Sequence, residues 1–246
     1  MCARCHQVLF TGYDWTWEGG TRRGSGLPPG GSNINSGEAR DLLLGGCASA
    51  MSCPDCHDPH LRESGGRVAL LDATDAGDKV CTRCHGELAD REKLRAHARH
   101  EPAGAGGRCL NCHMPKKNMS LDGTLTRYHR VGSPTDALKV EHDRPIECAL
   151  CHGDKTVRAV LADVERLWGK HYDEERLRAL YPDLDENVLA ATLANGKPHE
   201  QAVALAKLGE MGERARPWLP LVEKAANHEY PIVGGYAERA LAAIRR

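Results

Sequence analysis

Cysteine recurs at one fixed spacing through the first 152 residues of this chain, and histidine follows it every time. The pattern Cys-x-x-Cys-His occurs at Cys2-Cys5-His6, Cys53-Cys56-His57, Cys81-Cys84-His85, Cys109-Cys112-His113 and Cys148-Cys151-His152. Ten of the eleven cysteines are used in this way, and only Cys47 is left over. Structural zinc, iron–sulfur ligation and thioredoxin-like dithiols also use paired cysteines. None of them requires histidine directly after the second cysteine.

The spacing has a chemical reason. Two thiols two residues apart share one face of a helical turn and can add to the two vinyl groups of one porphyrin. The next residue then projects beneath the ring, where its imidazole reaches the iron. The five motifs therefore predict five covalently attached haem c groups. Cys2, Cys5, Cys53, Cys56, Cys81, Cys84, Cys109, Cys112, Cys148 and Cys151 are the attachment points, and His6, His57, His85, His113 and His152 the proximal ligands. Cys47 reads as a free thiol.

Composition fits such a chain. One Phe, four Trp and six Tyr in 246 residues are too few for an ordinary core across the motif region. Porphyrins supply the missing apolar bulk, so residues 1–152 are not expected to fold without haem. A net charge of −1 with scattered Lys and Arg gives no nucleic-acid footprint. No run of 18 apolar residues is present, so no transmembrane segment is expected in this chain. Haem attachment to this motif takes place outside the cytoplasm, which predicts a periplasmic or other extracytoplasmic location. No signal peptide is present in the chain, since Cys2 already opens the first motif, and the start reads as truncated or processed.

Two regions differ in character. Residues 1–155 are rich in Gly, Pro, Cys and His and carry only short helical patterns. Residues 19–31 hold too many Gly and Pro for a regular element. Asn35, with Glu38 three residues later, is a plausible cap for a short helix through Arg40 to Leu44, and Asp78 or Thr74 could open one carrying Cys81 to His85. A longer helix is expected over 87–100. Residues 156–246 contain no Cys and read as helices, with spans over Val157–Trp168, 185–195, 199–211, 217–227 and 232–244. The expected fold class is mainly α: a loop-rich multihaem cytochrome c domain (1–155) followed by a small helical repeat domain (156–246). Twenty-three residues separate His57 from Cys81 and likewise His85 from Cys109, which brings neighbouring porphyrins close together.

Sixth ligands are less directly legible. Five further histidines lie in the first region: His60, His97, His100, His129 and His142. Their number matches bis-histidine ligation of every iron. His60 is too close to His57 to cap the same iron and would serve a neighbour. His97 and His100 lie one turn apart, and His100 is the favoured ligand of the two. Met119 is a candidate for methionine ligation. His171, His199 and His228 read as structural or exposed.

The stretch Cys109-Leu-Asn-Cys112-His113-Met114-Pro115 resembles the Cys-x-x-Cys-His-Met-Pro motif of multihaem cytochromes related to cytochrome c nitrite reductase and cytochrome c554. The Cys-His-Asp-Pro-His ending at residues 56–60 is similar to another recurring site in those proteins. This resemblance spans roughly 45–152 and implies an extracytoplasmic, mostly helical protein with stacked haems. Nitrite reductases typically replace the histidine of their catalytic motif by Lys, whereas all five motifs here keep His. Separately, the stretch from Gln201 to Ile244 resembles HEAT-type helical repeats over about one and a half repeats.

The expected function is electron transfer between redox partner proteins, such as other cytochromes or a quinol-oxidising complex, with the helical tail as a docking platform. Bis-histidine irons have no vacant site and exchange electrons only. The alternative is an oxidoreductase acting on a small nitrogen or sulfur compound at one five-coordinate haem, for which the first motif is the natural candidate. Arg22, Arg23, Tyr13 and His129 would then stabilise an anionic substrate.

Overall fold

The computed structural model describes residues 38–62, 68–69, 76–119 and 123–246. The first motif, with Cys2, Cys5 and His6, lies outside them, as do the glycine-rich segment at 19–31, Asn35 and Thr74. The chain is mainly helical and divides into two compact units. Within the described residues, the first comprises Glu38–Pro115 and His129–Ser133, and the second Lys116–Tyr128 and Pro134–Arg246. The units do not follow the expected boundary at 155/156. Residues 134–155, the fifth motif included, pack with the helical tail, because Ile146, Ala149 and Leu150 around that motif are buried and Cys148 packs against the same core.

The first unit is built from single turns. Helix α1 (Glu38–Leu44) opens it. A 3-10 turn at Cys53–Asp55 follows, where the Asp55 carboxylate accepts both the backbone N–H and the hydroxyl of Ser52, each at 2.8 Å. Strand β1 (Asp58–Arg62) pairs antiparallel with β2 (Val68–Ala69). Helix α2 (Ala76–Thr82) starts before Asp78 and carries Cys81. The helix expected over 87–100 is broken in two. A 3-10 turn at Gly86–Ala89 stops at Asp90, whose side chain accepts from the N–H groups of Glu92 and Lys93 and so starts α3 (Arg91–Ala98). Arg99 ends α3 in the left-handed region, with φ of 55°. Helix α4 (Cys109–His113) is the fourth motif itself.

The second unit begins with an unforeseen hairpin. Strand β3 (Lys116–Met119) pairs antiparallel with β4 (Leu125–Arg127), and Gly123 takes φ of 78° at the turn, which only Gly adopts without strain. A short α5 (Ala137–Val140) leads to the fifth motif on a 3-10 turn at Glu147–Leu150. Helix α6 (Val157–Trp168) buries Val157, Val160 and Val164, as its periodicity predicts. Helix α7 (Glu174–Leu180), not expected from sequence, starts on an Asp173 cap. Helices α8 (Val188–Asn195), α9 (Pro198–Met211), α10 (Leu219–Ala225) and α11 (Pro231–Ile244) match the remaining expected spans to within a few residues. Helix α9 packs against α8, α11 and β3.

The apolar core lies in the second unit. It runs from Met119 through Val157, Leu189, Leu205 and Leu208 to Ile244. Met119 is fully buried there and packs in that core. In the first unit, Ala39 and Pro115 are the buried apolar side chains among the described residues. A unit of that size with so little buried surface cannot offset its own ordering entropy without added apolar mass.

Candidate functional site

Each described motif folds into the same turn. In the second, third and fifth motifs the N–H of His57, His85 and His152 donates to the carbonyl of Cys53, Cys81 and Cys148 at 2.9, 3.0 and 3.0 Å. The second cysteine of each donates to that same carbonyl at 3.2, 3.2 and 3.3 Å. In the fourth motif this turn is α4. The repeat sets two thiols and an imidazole in one fixed relation, as the attachment chemistry requires. None of the eight described motif cysteines is in a disulfide, and none is fully buried.

Neighbouring motifs touch. Arg83, between the cysteines of the third motif, donates to the Asp55 carbonyl of the second at 3.3 Å. The Asp78 carboxylate on α2 accepts the Cys109 N–H at the start of α4 at 3.0 Å and pairs with Arg108. Cys81 and Cys109, the first cysteines of the third and fourth motifs, share a thiol hydrogen bond. That bond lowers Cys81 to about 7 and raises Cys109 above the ordinary thiol range, with burial adding to the rise. Cys47 is half-buried beside the same cluster, where burial and then Cys81 and Cys84 push its thiol up.

Two pairs of imidazoles face one another in the first unit. The ring centres of His57 and His129 are 6.1 Å apart, with planes 22° from parallel. Those of His97 and His113 are 5.8 Å apart, with planes at 15°. A ring nitrogen sits about 2 Å from a bound metal and about 1.1 Å from its own ring centre, so trans ligands on one iron have centres roughly 6.2 Å apart. Both separations lie close to that figure. His113 Nδ1 lies 2.9 Å from the Gly132 carbonyl, which can only accept. Nδ1 therefore carries a proton, and in the neutral ring Nε2 is the nitrogen of the metal-binding type. The donor set fits haem iron.

His100 is held by its own segment. Its Nδ1 lies 2.7 Å from the Ala98 carbonyl, and its ring lies so close over Gly106 that a Cβ there would collide with it. His97, one turn earlier, is the ring that faces His113. His85 is exposed. His60 falls on β1, and its side chain lies outside the described part. His142 is half-buried in the second unit, with Nε2 3.4 Å from Arg176 Nη1. His152, in that unit too, is exposed.

The fifth motif rests on a polar lattice that sequence reading missed. Asn187 caps α8 and donates to the carbonyls of Gly153 at 2.7 Å and Lys155 at 3.2 Å. The Ile146 N–H donates to the Tyr181 hydroxyl at 3.1 Å. Lys117 is 1% exposed and sits 2.6 Å from Asp143 and 3.4 Å from Glu147. Burial alone pulls this ammonium down, but the two carboxylates outweigh it and hold it above its ordinary range. Arg144 pairs with Glu200 at 3.1 Å. Asp143, His199 and Glu200 could offer ligand atoms within 4.8 Å of one another. Three cations (Lys117, Arg144 and Lys139) already balance the three carboxylates of Asp143, Glu147 and Glu200, so the cluster reads as an ion network.

Residues 46–90 match the family described as the doubled CXXCH motif. No curated protein and no solved structure matches the chain. The matched segment holds the second and third motifs, with their paired turns in contact. A doubled motif of this kind marks covalent haem c attachment, as in multihaem c-type cytochromes, which points to electron transfer and is typical of extracytoplasmic proteins. No helix among the described residues is long and apolar enough to cross a membrane.

Proposed function

We propose that this chain is a pentahaem c-type cytochrome that passes electrons between extracytoplasmic redox partners through bis-histidine irons. Bound haem supplies a one-electron iron couple. The polypeptide supplies tethers, axial imidazoles and short distances. The observation that carries this reading is the separation of 6.1 and 5.8 Å between near-parallel ring pairs.

On this reading His57 and His129 hold the haem of the second motif, and His113 and His97 that of the fourth. The closeness of the Cys81 and Cys109 side chains supports adjacent porphyrin edges at the third and fourth motifs, and the Arg83–Asp55 contact does the same for the second and third. Such a series suits rapid hopping along the chain. His85, His6 and His152 are the proximal ligands of the other three haems, with His60, His100 and His142 the remaining candidate distal ligands. The helical tail of the second unit, read as HEAT-like from its Ala and Leu spacing and the α9–α11 packing, serves as a docking surface for a partner cytochrome.

The test is the electronic spectrum of the matured, oxidised protein. Wholly low-spin irons, unchanged by nitrite, hydroxylamine or cyanide, are expected. A high-spin band that responds to those ligands would instead identify a substrate-binding iron.

A further inference from the structure

A four-residue segment, His129-Arg130-Val131-Gly132, serves two different motifs of the first unit. At one end, the His129 ring faces His57 of the second motif at 6.1 Å. At the other, the Gly132 carbonyl accepts from His113 Nδ1 of the fourth motif at 2.9 Å, and the Gly132 N–H donates to the His113 carbonyl at 3.3 Å. Between them, the Val131 N–H donates back to the His129 carbonyl at 3.0 Å, which tightens the segment into a turn. The Val131 carbonyl accepts from Gly46 N–H at 2.9 Å. Three Cα steps span at most about 11 Å. The contact at one end therefore cannot move far without the other.

We infer that residues 129–132 form a mechanical strap that couples the distal ligation of the second-motif haem to the proximal hydrogen bond of the fourth-motif haem. The inference rests on the axial pairing proposed above. Its chemical lever is the His113 Nδ1–H bond. Donation to a carbonyl makes an imidazole more basic and favours the oxidised iron it ligates. When the strap shifts, this bond lengthens, His113 becomes a weaker donor and the fourth-motif couple moves to higher potential. Gly132 and Val131 are thus positioning residues for an iron that they do not touch.

Gly45 gives a handle that leaves every proposed ligand in place. A Cβ there would stand 2.7 Å from the Val131 nitrogen, a backbone atom that must give way. The experiment compares Gly45→Ala and His129→Ala with wild type in the matured full chain, by electron paramagnetic resonance combined with a redox titration. His97→Met, which changes the residue opposite His113, identifies the fourth-motif signal. Both test variants should alter the g-values of that signal and raise its potential, with the third-motif signal unmoved. A shift that leaves tenfold more of the fourth-motif haem reduced at fixed poise equals 59 mV for a one-electron couple. A fourth-motif signal that keeps its wild-type g-values and potential in either variant overturns the strap. A second-motif haem that stays low-spin in His129→Ala overturns the axial pairing itself, and the strap with it.

Discussion

The imidazoles of His97 and His113 stand 5.8 Å apart with planes 15° from parallel, although 15 residues and a chain reversal separate them. The arrangement has a local cause. Asp90 restarts the helix so that His97 falls on its last turn, and the Arg99 left-handed cap turns the chain back toward α4. His113 is then fixed from the other side by Gly132.

Replacing His97 by Ala should therefore convert one haem from low to high spin, and added imidazole should restore it. Replacing His100 by Ala should leave the spectrum of that haem unchanged. Loss of low-spin signal in the His100 variant and not in the His97 variant would reverse the assignment.

Asp78 joins the third and fourth motifs by accepting the Cys109 N–H and pairing with Arg108, where both side chains are less than one quarter exposed. Asp78→Ala removes a helix cap supplied by a neighbouring helix, at a cost of about 1–2 kcal/mol. Denaturant unfolding of the matured protein, followed through its haem absorption, should show that loss. Asp78→Asn should retain part of the stability, because its amide oxygen still accepts.

Lys117 is a deeply buried charge in the second unit. Lys117→Met leaves Asp143 and Glu147 buried beside each other without their shared cation, which costs about 3–5 kcal/mol. Thermal unfolding by far-ultraviolet circular dichroism should reveal the drop. Adding Asp143→Asn and Glu147→Gln to the same protein should restore much of it. A single variant as stable as wild type would mean that water reaches the site.

Burial, helped by Lys197, Lys117 and Arg144, holds His199 well below its ordinary pKa. The unfolded chain then binds a proton at pH values where the folded one does not. Stability falls as pH drops below about 6.5, by at most about 1.4 kcal/mol per pH unit. Glu200 next to it is raised by burial and acts in the opposite sense at lower pH. The difference between wild type and His199→Leu isolates the histidine. Unfolding free energies from pH 7.5 to 5.5 should fall more steeply for wild type, and parallel curves would contradict a buried neutral His199.

What was readable in the sequence was what local chemistry controls. The Cys-x-x-Cys-His turns and the amphipathic face of α6 follow from spacing alone, because each is decided within a few residues. The hairpin around Gly123 left a signal in Asp122-Gly123 between two short strands, and α7 left one in Asp173-Glu174-Glu175. Asp90 likewise announced the break in the helix expected over 87–100. Distal partners were harder. His97 and His100 differ only in how the chain turns after Arg99, and no local rule weighs that. The Lys117–Asp143–Glu147 network joins residues 26 and 30 positions apart and is visible only once the fold is known.

Electron paramagnetic resonance of the matured, oxidised protein tests the axial pairs most directly. Near-parallel imidazoles split the iron d orbitals strongly, so His57 with His129 and His97 with His113 predict two rhombic low-spin signals. One should vanish in His129→Ala and the other in His97→Ala. Both signals surviving both substitutions, or high-spin iron at these two motifs in the wild-type protein, would contradict it.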